Sequence, residues 1–130
     1  RDGLAYYVYT TLVPSLTPAP WMAIAGVHPD NVERALEGIL NEIRRLREEP
    51  IPPEELENNK SYLIGSLPIG LETNAGIATT LEAMEIYGLG LDYLQRYPAI
   101  IGGLTAEEVQ AIAQKYLDPA AYTLSIAWPA

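Results

Sequence analysis

The sequence contains no cysteine and only one histidine, and these absences exclude several kinds of site. Without cysteine there can be no disulfide framework and no thiolate metal site. With His28 as the only histidine, the chain alone cannot form a zinc site from a pair of histidines. A Ser-His-acid triad would also depend on His28, which precedes Pro29 in a predicted loop.

Basic residues are scarce as well. The chain has 8 Lys and Arg against 17 Asp and Glu, a formal net charge of -9. Affinity for nucleic acid rests on clustered Lys and Arg. The one local group, Arg44, Arg45 and Arg47, is offset by neighbouring glutamates and is typical of a solvated helix face. We therefore expect no nucleic-acid partner.

Long apolar runs are missing too. None approaches the roughly 20 residues that span a bilayer, so we expect no membrane partner. No signal peptide is visible, but the sequence opens on Arg1 and Asp2 and enters a structured-looking run at once. We expect a piece of a larger protein, most of one domain, whose targeting segment would lie outside these residues. The compartment is undetermined, cytoplasmic or periplasmic in a bacterial source.

What the sequence does contain predicts strands at both ends. Residues 5–13 are rich in β-branched and aromatic types, and residues 20–27 form a second apolar run beyond a proline-rich loop. The two predict an antiparallel hairpin. Residues 122–128 alternate apolar and polar side chains and predict a third strand.

Helical patterns fill the middle of the chain. Apolar residues recur at spacings of three and four between Val32 and Leu46, with Asp30 as the predicted N-cap and Pro50 as the stop. Further helices are predicted from residue 53 to a break or kink at Gly65–Pro68, from Leu71 to Tyr87, from Leu91 to Pro98, and from the capping box Thr105–Glu108 to Asp118.

The predicted fold is α+β, with an antiparallel sheet covered on one face by helices, and residues 1–130 forming a single domain. Three strands make a narrow sheet with an exposed edge, and such edges tend to acquire a partner. We expect further strands before Arg1 in the parent protein, or a homo-oligomer formed through that edge.

No self-contained catalytic site emerges from the residues. The acidic pairs lie at helix ends, where acids near an N-terminus interact favourably with the helix dipole. The glycines never form a GxGxxG or Walker loop. We assign the chain itself no catalytic residue, no metal ligand and no cofactor.

The order of several short motifs resembles the C-terminal, non-catalytic half-domain of the M16 zinc metallopeptidases, the insulinase, pitrilysin and mitochondrial processing peptidase family. Those motifs, which together span nearly the whole chain, are Gly3-Leu4-Ala5-Tyr6, then Glu57 and Lys60 leading to Leu71-Glu72-Thr73, then Tyr87-Gly88, and finally Leu104–Val109 with Lys115–Pro119.

The resemblance implies a half-domain of a clam-shaped chamber in which another half-domain carries zinc on a His-x-x-Glu-His motif. This sequence has no such motif, so zinc and the catalytic base would come from that other half-domain or from a partner subunit. The facing half-domain supplies an Arg and a Tyr that contact the backbone of an unfolded peptide substrate. Tyr6 falls on the family's Tyr and is our candidate substrate-binding residue.

The family's Arg has no counterpart in these residues. It lies seven residues before the Tyr, whereas Arg1 lies five before Tyr6. On an extended strand this difference displaces the side chain by roughly 7 Å, so the role is not assigned to Arg1.

The function implied by the resemblance is that of a substrate-binding, chamber-closing half-domain of a peptidase. Two alternatives remain, a structural or assembly subunit of the same fold without catalysis, and a free-standing binding module. A zinc motif in the residues upstream would favour the peptidase half-domain, and its absence would favour the structural or assembly subunit.

Overall fold

The computed structural model describes residues 3–13 and 15–128, and it confirms the α+β fold. Its elements are β1 (Ala5–Leu12), β2 (Trp21–Val27), α1 (Val32–Glu48), α2 (Pro53–Gly70), α3 (Asn74–Ile86), α4 (Tyr93–Gly102) and α5 (Ala106–Tyr116). The chain divides into two compact units, unit 1 with residues 1–49 and 110–130 and unit 2 with residues 50–109.

The predicted hairpin is the sheet of unit 1. β1 pairs antiparallel with β2, from Leu12 opposite Trp21 to Ala5 opposite Val27. Helix α1 contacts β2, whose residues are mostly half-buried. β1 is exposed along nearly its whole length, and within the described residues each of the two strands has one unpaired edge.

Helix α1 has the apolar face that the spacing predicts, since every residue of that face is partly buried. Its start differs from the prediction. Pro29 opens a 3₁₀ turn (Pro29–Asn31) that contains Asp30, so Asn31 occupies the N-cap and makes no side-chain capping bond. The fixed φ of proline suits the first position of such a turn, which is why the helix proper begins later than expected.

The predicted third strand is wrong. Residues 122–128 are not in a strand, and the apolar members of the alternating pattern remain about half exposed: Tyr122, Leu124, Ile126 and Trp128. An alternating sequence becomes a strand only where a neighbouring strand accepts its backbone hydrogen bonds. Among the described residues, the sheet offers this segment no such neighbour.

Two prolines lie inside helices in the structure. α2 continues to Gly70 past Pro68, where a break or kink was expected, and α4 continues to Gly102 past Pro98, where an end was expected. Each proline removes only the hydrogen bond that its N–H would donate to the carbonyl four residues earlier, so each helix loses one bond and continues. After Pro68 the chain closes with a shorter turn in which Leu71 N donates to Pro68 O at 3.0 Å. Helix α3 then begins at Asn74, capped by the Thr73 hydroxyl, and not at Leu71.

A set of hydrogen bonds joins the two chain segments of unit 1. One guanidinium nitrogen of Arg47, near the end of α1, donates to three carbonyls at the end of α5: Ala113 O at 3.3 Å, Gln114 O at 2.8 Å and Leu117 O at 2.6 Å. In return, Gln110 and Gln114 donate to the carbonyl of Arg47. We call this set the Arg47 clasp. It gives the guanidinium partners among the carbonyls at the helix C-terminus, of which Ala113 O also accepts from Leu117 N at 2.9 Å, and it places a cation at the negative end of the dipole.

Candidate functional site at the start of β1

The candidate residue Tyr6 lies at an irregularity in the sheet. Ala5 pairs with Val27 and Tyr7 pairs with Gly26, so Tyr6 is the extra residue of a β-bulge and has no partner on β2. Bulges bend a strand and redirect side chains, and they recur beside active sites. The Tyr6 side chain is 78% exposed, and no residue of 3–13 or 15–128 makes a hydrogen bond or ring contact with it.

The turn that leads into the bulge depends on Gly3. Its φ of +60° is in the left-handed region, which side chains with a Cβ disfavour. Leu4 follows and is partly buried, after which β1 begins at Ala5. Tyr6 is therefore the second residue of the strand, close behind this turn.

The opposite side of the bulge is held by an aromatic contact. The Tyr7 ring lies directly over Gly26, so a Cβ at Gly26 would come within 2.6 Å of Tyr7 Cζ. The ring also lies 6.2 Å from that of Tyr9, at a tilt of 32°. Tyr7 and Tyr9 thus pack on the hairpin, while Tyr6 is exposed and has no partner within the described part of the chain.

Beyond the bulge, β1 presents an uncharged edge. Its eight residues include no Lys, Asp, Glu, Arg or Pro, the residue types that protect exposed edges from pairing. Large side chains along it are more than half exposed, among them Val8 and Leu12. The free edge of β1 can therefore pair with another extended chain, and Tyr6 lies at its beginning.

The other candidate residues named from the sequence are not part of this site. His28 is exposed, and its Nδ1 accepts a 3.4 Å hydrogen bond from Asp30 N. Among residues 3–13 and 15–128, no three His, Cys, Asp or Glu side chains are close enough to hold a metal ion, so these residues do not fit a zinc centre. No helix of that described part is long and apolar enough to cross a membrane. Arg1 lies outside the described residues.

Comparison with known proteins identifies the fold. Residues 1–63 match the family model of the peptidase M16 inactive domain. A solved structure, the peptidase M16 inactive domain from Pseudomonas fluorescens, is similar over 92% of this chain with 28% sequence identity and a TM-score of 0.78. The resemblance to the M16 inactive domain is confirmed.

The M16 match covers the hairpin, the bulge and Tyr6, all of which lie within residues 1–63. The chain spans 28% of the length of the solved structure, so it corresponds to a part of that M16 protein. No curated protein matches the chain.

The resemblance singled out Tyr6, but strand alternation by itself did not predict the bulge. A signal was present in Gly26, a glycine inside an otherwise apolar strand, which often marks a bulge or a close approach. Reading Gly26 as the partner of an aromatic residue on β1 would have predicted the irregular pairing.

Proposed function

We propose that this chain is a non-catalytic, substrate-contacting half-domain that closes the chamber of an M16-like zinc metallopeptidase. In this proposal, zinc and the catalytic base belong to another half-domain in the parent assembly. The observation that carries the proposal is the position of Tyr6, unpaired in a bulge, exposed, and at the start of an edge that can pair with an extended peptide.

The chemistry available to Tyr6 is hydrogen-bond donation. A phenolic hydroxyl can donate to a peptide carbonyl oxygen, and the bond strengthens as that oxygen gains charge in the tetrahedral intermediate. Because the hydroxyl has no partner in the described residues, it need not break a protein hydrogen bond to reach the substrate. The role requires a donor and leaves the proton on the tyrosine.

The decisive test is Tyr6→Phe in the parent enzyme, which removes the hydroxyl and keeps the ring. Loss of one such donor lowers kcat by roughly 10²–10³-fold in other enzymes, and we expect a loss of that order with little change in KM. The matched control is Tyr9→Phe, which removes a hydroxyl from the same strand and should leave kcat unchanged.

An unchanged kcat in Tyr6→Phe would rule out the catalytic contact. A parent protein without peptidase activity, even with zinc supplied, would instead favour the structural-subunit alternative. In that case Tyr6→Phe should have no effect on assembly, since the hydroxyl bonds nothing within the described chain.

A further inference from the structure

A second feature, in unit 2, is an open pocket at the C-terminal end of α3. It measures about 250 Å³ and is lined by Leu81, Met84, Glu85, Gly88, Gly90 and Leu91. Met84, one of two buried residues among those described, is 4% exposed and contributes to this lining. Most of the lining side chains are apolar, and the single carboxylate is that of Glu85.

The loop that forms one wall is fixed by hydrogen bonds. Gly88, with φ of +60°, ends α3, and Leu89 N donates back to Met84 O at 2.9 Å. Arg96 donates to Leu89 O at 2.7 Å and, through two nitrogens, to the Asp92 carboxylate. That hydrogen bonding holds the pKa of Asp92 below its usual value, so the pair stays charged at neutral pH.

This fixed loop holds Leu91 in an exposed position. Leu91 is 86% exposed, the highest value among the large apolar residues of the described chain, and Leu81 on the facing helix is about half exposed. Exposed apolar side chains grouped around a concavity mark interaction sites. Because the loop is already ordered, little conformational entropy would be lost when a partner binds.

Charge indicates the kind of partner. Unit 2 has nine acidic and two basic residues, a net charge of -7. Unit 1 has eight acidic and six basic residues, a net charge of -2. Both cations of unit 2 are already paired, Arg96 with Asp92 and the largely buried Lys60 with Glu57. On α3, Glu85 lines the pocket and is exposed, and Glu82 is a further exposed carboxylate of the same helix.

We propose that the pocket between Leu81 and Leu91 binds an aliphatic side chain of a basic peptide segment, and that Glu85 pairs with a neighbouring Lys or Arg of that segment. The pocket is smaller than the roughly 300–1,000 Å³ of small-molecule sites, which suits one side chain. A second copy of this chain, a nucleic acid or an anionic membrane would meet like charge at this surface.

The test uses the 130-residue chain and a synthetic peptide that repeats Gly-Leu-Lys-Ser, with affinity measured by calorimetry. Two matched peptides replace Lys by Glu or Leu by Ser. We expect binding of the first peptide only, and weaker binding as NaCl rises from about 0.02 M to about 0.5 M.

Two variants locate the site. Glu85→Gln should weaken binding by about two- to five-fold, as expected for an exposed ion pair, and Leu91→Ser by about ten-fold. The controls are Glu72→Gln, with the same charge change in unit 2, and Leu16→Ser, at a similarly exposed leucine. Both should bind like the wild type. Every change lies at an exposed side chain, and circular dichroism checks that the fold is kept.

Equal binding of the Leu and Ser peptides would overturn the proposal, because it would show attraction to the acidic surface without the pocket. Wild-type affinity in Leu91→Ser would overturn it as well. The site does not include Tyr6, so Tyr6→Phe should leave this binding unchanged, and the two proposals succeed or fail separately.

Discussion

The contact between Tyr7 and Gly26 shows how one residue without a side chain shapes the start of β1. The ring occupies the space that a Cβ at position 26 would need. An aromatic ring over a strand glycine shields the backbone and fixes the register around it. The bulge at Tyr6 is adjacent, so the geometry of the candidate site depends on this contact.

We predict that Gly26→Ala lowers the free energy of unfolding by about 1 kcal/mol. The new methyl group forces the Tyr7 ring off the strand and separates it from Tyr9, and an aromatic pair is worth about 0.5–1.5 kcal/mol. Urea denaturation provides the measurement. The same substitution in a Tyr7→Ala background should be neutral, and a full loss there would show that the ring is not the cause.

Tyr6 and Tyr7 show what the sequence can and cannot predict at the scale of single residues. The motif Gly3-Leu4-Ala5-Tyr6 predicted which tyrosine to examine. Alternation alone would have paired Tyr6 with a residue on β2, whereas the bulge leaves it unpaired. The difference arises from a close approach between strands, which one-dimensional patterns do not record.

At the scale of elements, the helices were predictable where local chemistry decides their ends. The capping box at Thr105 and Glu108 forms as expected, with reciprocal bonds of 2.9 and 3.2 Å. Where tertiary context decides, the predictions failed. Pro98 was predicted to end its helix and Pro68 to break or kink its own, but each removes only one bond, and both helices continue past them. The segment 122–128 lacked the neighbour that a strand requires.

The Arg47 clasp is the element-scale contact that no local pattern could reveal, because its partners are 63 to 70 residues apart in sequence. Hydrogen bonds from a charged donor are worth about 1.5–3 kcal/mol. We therefore predict that Arg47→Met lowers the free energy of unfolding by about 2 kcal/mol, measured by urea denaturation.

The matched control for the clasp is Arg44→Met on the same helix. Arg44 is exposed and bonds only to Asn41 among the described residues, so its loss should cost less than about 0.5 kcal/mol. Equal destabilisation by the two variants would mean that the carbonyls at the end of α5 find other donors.

At the scale of the whole molecule, few side chains are buried. Among the described residues only Met84 and Ala113 are buried, each 4% exposed, whereas Tyr6, Leu16 and Leu91 are each more than three-quarters exposed. Large apolar side chains exposed in this way are typical of a domain that packs against other parts of an assembly.

We predict that the isolated chain self-associates as its concentration rises, through the free edge of β1. Val8→Lys, at a 64% exposed position on that strand, should reduce the association, because a charged residue disfavours edge-to-edge pairing. Sedimentation velocity over a concentration series measures the effect. Leu16→Lys, in the hairpin loop and 76% exposed, is the control with the same charge change. If both substitutions reduce self-association equally, the added positive charge and not the edge of β1 governs the association.

The Arg47 clasp also has a topological consequence. The chain leaves unit 1 after Glu49 and returns to it at Gln110. The side-chain amide of Gln110 donates a hydrogen bond to the Arg47 carbonyl at 3.1 Å. The points where the backbone leaves and re-enters unit 1 therefore lie close together, and the 60 residues between them form one continuous insertion. A short glycine-rich bridge between residues 49 and 110 could replace that insertion, giving a reduced protein that consists of unit 1, the hairpin with α1 and the part of α5 from Gln110 on.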